Sequence, residues 1–149
     1  MEKNQLFTYY TYRNLSQKGS IVAEYIWIDG SGLQIRSKAK TIPHKVNSLK
    51  DLPDWNYDGS SCYQASTHNS EVIMKPVAFY PDPFRGGDNI LVLTETFVWA
   101  DDKFTHLKPS NTNFRHFAKP IFDAGLHEKP WFGIEQEYSV LETKNNFCT

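Results

Sequence analysis

The run "IVAEYIWIDGSGLQIRSKAKT" (residues 21–41) constrains this chain most. Its first half is crowded with β-branched and aromatic residues, which pack well on a pleated surface and lose side-chain freedom in a helix. Asp29-Gly30-Ser31-Gly32 then breaks the apolar pattern with residue types suited to tight turns. The second half alternates. Leu33, Ile35, Ser37 and Ala39 share one face, and Gln34, Arg36, Lys38 and Lys40 share the other. Period-two alternation after a turn predicts a β-hairpin whose second strand is half solvated.

Two further stretches extend the sheet. "SEVIMKPVAFYPDP" (70–83) predicts a short strand broken by Pro76, and "NILVLTETFVW" (89–99) is the most apolar strand candidate of this half. Residues 20–100 therefore read as a small sheet of about four strands with one long irregular segment, 42–71. Residues 1–19 read as a short helix or an arm. After Trp99 the polar, Pro-containing "ADDKFTHLKPSN" reads as a linker. "TNFRHFAKPIFDAGL" (112–126) sets Phe114, Phe117, Ala118, Ile121, Phe122 and Leu126 at helical spacing, with Thr112 or Asn113 to cap it and Gly125 to stop it. Pro120 inside it removes a hydrogen bond and kinks it. "WFGIEQEYSVL" (131–141) reads as one more strand. The fold class is α+β: a sheet-rich unit, then the first helix and strand of a second one.

Composition narrows the function. The 149 residues carry a net charge of −1 with both signs interspersed, so the basic footprint of a nucleic-acid binder is missing. An aromatic share of 15% supplies ample core material and argues against disorder. No stretch approaches the roughly 20 apolar residues a membrane helix needs, and the polar N-terminus lacks the apolar run of a signal peptide. Cys62 and Cys148 are far apart and in no metal-ligand spacing, as expected of a reducing compartment. A cytoplasmic protein without nucleic-acid or membrane partners is the expectation.

Three places carry chemistry. Glu135 and Glu137 lie two apart on the expected strand, so both face one side, about 6.6 Å apart along the chain. Such a pair can hold two neighbouring hard divalent cations. The alternative is a pair of charges that keeps an edge strand from aggregating. "WNYDGSSCYQASTHNSEV" (55–72) is long and polar, and Asp58-Gly59 signals a turn that Ser60 and Ser61 can brace. It is either a plain surface loop or, as long irregular connections often are, a functional one. "FYPDPFRGGDN" (79–89) reads as a rigid crossover; its glycines do not open a helix, which disfavours an anion loop. The five histidines are scattered and pair in no ligand spacing.

"WNYDGSS", a loop ending in "SEV", "DPFRGGDNILVL", "TNFRHFA" and "PWFGIEQEY" follow one another in the order and spacing of the eukaryotic-type glutamine synthetases, which the chain resembles from about residue 20 onward. The resemblance implies an N-terminal β-grasp domain over 20–101, an arm over 1–19, a linker over 102–111, and the truncated start of a catalytic domain over 112–149. It implies synthesis of glutamine from glutamate, ammonium and ATP through γ-glutamyl phosphate, with Mg²⁺ or Mn²⁺. It also implies subunits assembled in rings, with each active site shared between neighbours. Glu135, on the ATP side, and Glu137 would be metal ligands. Asp58 would help bind ammonium and take its proton, and Glu71 is a candidate acid of the same loop. The remaining metal, glutamate and nucleotide groups of the family have no counterpart in these 149 residues, so the chain alone is expected to be inactive. The alternative is a non-catalytic relative that binds full-length subunits. In the loop, Tyr63, Ser66-Thr67 and His68-Asn69 stand where the family usually has Gly, Pro-Gly and an acidic pair.

Overall fold

The computed structural model describes residues 3–139, with side chains from Phe7 onward. Helix α1 (Lys3–Arg13) leads into six strands: β1 (Ile21–Ile28), β2 (Ile35–Ile42), β3 (Trp55–Asp58), β4 (Glu71–Pro81), β5 (Ile90–Trp99) and β6 (Leu107–Pro109). Helix α2 (Phe114–Gly125) follows. The strands form one mixed sheet in the order β2-β1-β5-β4-β3, and the class is α+β as expected. Its centre is the parallel pair β1 and β5, and the other ladders are antiparallel. β4 occupies one side of β5 throughout, so β1 and the short β6 share the other side, one after the other.

The predicted hairpin forms, with Asp29 N donating to the Gln34 carbonyl across its turn. The solvated face of its second strand is the one that carries Leu33 and Ile35. Leu33 is 90% exposed and Ile35 75% exposed. The register explains this. Trp27, Tyr25 and Ala23 of β1 lie opposite Arg36, Lys38 and Lys40, so the basic face of β2 shares the side of the core. Lysine stems serve there as apolar cover. The Lys38 and Lys40 ammonium groups sit 4.0 and 4.8 Å from the centre of the Trp55 ring.

The sheet curls around that face. Strands β1 and β3 are three positions apart, a gap of about 14 Å in a flat sheet. Yet the Trp27 and Tyr57 rings stack at 4.2 Å, and Tyr25 meets Trp55 edge-on at 5.5 Å. The two edge strands thus approach each other, and Lys38 of β2 donates to the Asn56 carbonyl of β3 at 3.1 Å across the seam. Inside the curl lie Ile21, Ala23, Tyr25, Trp27, Tyr57, Val72, Met74, Ile90 and Val92, closed over by Ile42, Val46, Leu52 and Cys62. Burial in this core pushes the Tyr25 phenol up to about 12.

Three elements depart from the sequence reading. The segment 42–71 is less irregular than expected, since it contains β3 and the short 3₁₀ turns Leu49–Asp51 and Gly59–Cys62. β4 is longer than expected and runs through Pro76, because a register shift between Pro76 and Ala78 absorbs the residue that cannot donate. Within the stretch read as a linker, β6 adds to the sheet edge.

Helix α2 forms where its spacing predicts, capped by the Asn113 side chain, which accepts from His116 N. Pro120 lies inside it. None of its residues is buried. The expected strand over 131–141 is not observed: residues 131–139 have no regular structure and are exposed, and 140–141 lie outside the described residues. A strand needs a partner for its backbone groups and a surface for its apolar face. Among the described residues no strand pairs with this stretch, and Trp131, Ile134 and Tyr138 are 96%, 95% and 83% exposed.

Candidate functional site

Asp58 ends β3 at the mouth of the seam between the two edge strands. A cleft of about 550 Å³ opens there, lined by Trp27, Arg36, Ser37, Lys38, Tyr57, Asp58, Ser61 and Cys62. The aspartate caps the Gly59–Cys62 turn, as its Asp-Gly-Ser-Ser context suggests. Its Oδ1 accepts from Ser60 N at 2.9 Å and Ser60 Oγ at 2.6 Å, while Ser61 Oγ donates to its carbonyl at 3.1 Å. These serine bonds, the Ser60 hydroxyl first and its amide next, hold the Asp58 carboxyl below its ordinary value. The carboxylate is therefore ionised, exposed and fixed by the chain around it. Such a group attracts a small cation and accepts a proton from it.

Glu71 stands directly opposite Asp58 in the β3–β4 ladder. Like charges facing each other across strands repel. Each carboxylate has donors of its own to offset this. Trp99 Nε1 donates to Glu71 Oε2 at 2.7 Å and Asn56 Nδ2 donates to its Oε1, and these bonds, the indole first, pull its pKa down. The structure thus brings together two of the four acids singled out in the sequence.

The loop between them is docked tightly on the hairpin turn. Gly30 N donates to the Cys62 carbonyl at 2.7 Å, and a Cβ at Gly30 would lie 2.0 Å from the Tyr63 carbonyl oxygen. Only glycine permits that approach. Tyr63 itself takes the left-handed conformation, with φ 60 and ψ 25, which is strained for a residue with a Cβ. Gly59 N donates to the Ser70 carbonyl at 2.7 Å and closes the loop base.

Glu135 and Glu137 are not brought to this site. They lie on the exposed, unpaired stretch 131–139, so the i, i+2 geometry that motivated a metal pair is absent. Among the described residues no group of three or more His, Cys, Asp or Glu side chains is arranged to hold a metal ion. Mg²⁺ demands octahedral oxygen coordination, and two exposed carboxylates on irregular chain do not fit it by themselves. The "DPFRGGDN" segment is structural, as expected: Arg85 Nη1 is spent on Asp82 at 2.7 Å and on Glu24. Burial raises the Asp82 carboxyl, but the Arg85 and Phe84 donors outweigh it and hold it low.

Sequence reasoning missed the polar residues behind the loop. Gln64, Thr96, Ser110, Thr112 and Asn113 are all nearly buried and bonded to one another or to backbone. Scattered single polar residues give no periodic signal, and only the folded sheet unites them.

The class defined here is an α+β unit with a braced acidic loop at a sheet seam. No protein-family model matches the chain. Curated proteins do. It is 48% identical over 135 residues to a glutamine synthetase from Eremothecium gossypii, covering 91% of this chain and 35% of that protein. It is 47% identical over 146 residues to one from Candida glabrata, covering 98% and 37%. The glutamine synthetase of Saccharomyces cerevisiae is 46% identical over 142 residues, covering 95% and 36%. Over the matched residues the chain is similar to these glutamine synthetases, and it spans about a third of their length.

Proposed function

We propose that the chain is part of an ATP-dependent glutamate–ammonia ligase, in which Asp58 helps bind ammonium and accepts its proton. The observation that carries this reading is the Asp58 carboxylate, ionised and braced at the mouth of a cleft, within a chain 46–51% identical to glutamine synthetases over most of its length. A preset anion loses little on reorganising when NH₄⁺ arrives, and it is well placed to take the proton as nitrogen becomes a nucleophile. Glu71 backs it by adding negative potential from the neighbouring strand.

The reading treats residues 20–101 as a β-grasp domain, supported by the mixed sheet with its central parallel pair. Residues 1–19 are then an arm, 102–111 a linker, and 112–149 the start of a catalytic domain. The exposed apolar residues of α2, Phe114, Phe117, Ile121 and Phe122, suit a surface meant to be covered by more protein. Glutamate, ATP and Mg²⁺ or Mn²⁺ would be held chiefly by regions that the relatives have beyond the matched third. Glu135, beside ATP, and Glu137 enter as metal carboxylates only with ligands from those regions. Ring assembly with other glutamine synthetase subunits, in the cytoplasm, completes the proposal.

The test is ATP- and Mg²⁺-dependent glutamine formation by the purified chain, alone and mixed with full-length subunits of a relative. No turnover alone, and altered turnover on mixing that Asp58→Asn changes, is expected. A chain that neither turns over nor affects the full-length subunits contradicts the proposal.

A further inference from the structure

The Asp58 loop and the entry to α2 are far apart in sequence, yet one side chain joins them. Gln64 is buried, and its amide reaches four elements. Tyr57 Oη, on β3, donates to Gln64 Oε1. Gln64 Nε2 donates to the Ile28 carbonyl at the end of β1 at 3.1 Å and to Thr112 Oγ1 at 3.1 Å, with Thr96 Oγ1 of β5 at 3.4 Å. The orientation of the amide is fixed by chemistry, since a backbone carbonyl only accepts and must face the NH₂ end.

The network continues from there. Thr96 Oγ1 and Ser110 Oγ share a hydrogen bond of 2.6 Å, and the Thr96 carbonyl accepts from both Ser110 N and Asn113 Nδ2 at 3.0 Å. Asn113 Oδ1 in turn caps α2 by accepting from His116 N at 3.1 Å. Thr96 is 3% exposed, Ser110 2% and Asn113 4%. Buried polar groups that lose a partner are costly, so such a network holds its parts in one arrangement. On the loop side, Gln64 N and Ala65 N both donate to the Gly59 carbonyl, next to Asp58.

We infer that Gln64 is a positioning residue: it ties the Asp58 loop to the chain entering α2, so that the loop and the helix keep a fixed relation. The inference rests on the ligase reading for its significance to ammonium binding, but the tie itself is a property of this chain. In an assembled ligase, whatever packs on α2 would then be registered with the acid that meets ammonium.

Amide resonances of the isotope-labelled chain test the tie without any activity assay, so its failure and the failure of the ligase reading are separable. Gln64→Leu keeps the bulk and removes the polar reach. It is expected to move the Ser60 and Ser61 amide resonances and those of residues 110–116 together. Ile21→Ala, which opens a cavity at the far end of β1, is expected to lower the melting temperature yet leave the Ser60 resonance in place. Thr112→Val cuts the tie from the helix side and is expected to shift Ser60 and Ser61, though less. It decides the matter alone if Gln64→Leu does not fold. Resonance changes confined to one side in Gln64→Leu, or an unmoved loop in Thr112→Val, overturn the inference.

Discussion

The chain carries two pairs of acidic residues in contrasting settings. Asp58 and Glu71 face each other on paired strands, each held by donors from its own surroundings. Glu135 and Glu137 lie on unpaired, exposed chain. In sequence the first pair spans a long polar loop, whereas the second is flanked by apolar residues on an expected strand. The difference is what backs them. "WNYD" finds β4 and a core beneath it, whereas "WFGIEQEY" finds neither among the described residues. An apolar sequence makes a strand only where another strand and a surface receive it.

The first way to break this contrast is to unseat the loop. Gly30→Ala places a Cβ 2.0 Å from the Tyr63 carbonyl, against backbone that cannot yield cheaply. It is expected to cost about 3 kcal/mol, measured by urea unfolding, and to displace the Asp58 loop from the hairpin turn. An unchanged midpoint would show that the loop is not docked there. Next comes the support of Glu71. Trp99→Phe removes its indole donor and is expected to cost about 1 kcal/mol at neutral pH. The sign follows from the lowered Glu71 pKa. The stabilisation is present above the ordinary value of 4.5 and fades as pH falls through the depressed one, so wild type and variant should converge in acid. A difference that grows as pH falls would contradict the assignment.

Smaller changes sharpen the comparison. Tyr63 pays for its left-handed backbone and is 72% exposed, so Tyr63→Gly loses little packing. A gain of up to about 1 kcal/mol is expected in thermal unfolding. Glu135→Gln and Glu137→Gln should change stability by less than about 0.5 kcal/mol, as surface substitutions away from packed features do. A larger effect in the chain alone would mean that these acids already have partners.

The sheet was legible in the sequence where alternation and turn residues coincide. The hairpin at 21–42, the apolar β5 and the capped α2 all carry their own local signals. β3 and β6 carried none, being short and polar, and they form because β4 and β5 offer open edges. Which face of β2 meets the core was hidden because lysine stems can cover aromatic rings as alanine and isoleucine do. Of the site, the Asp58 turn was readable from Asp-Gly-Ser-Ser, since each residue acts on its near neighbours. The Glu71 pairing needed the strand register. Gln64 needed the whole fold, because its partners come from β1, β3, β5 and the approach to α2. The shared face of Glu135 and Glu137 presumed a strand, and among the described residues no strand forms there.

Amide hydrogen exchange on the monomeric chain tests the central contrast most directly. The amides of Gly30 and Gly59, which bond the Cys62 and Ser70 carbonyls, and those of β3 and β4 are expected to be protected, while residues 131–139 exchange at nearly the rate of free peptide. Strong protection throughout 131–139, or a loop around Asp58 that exchanges just as freely, would contradict the account.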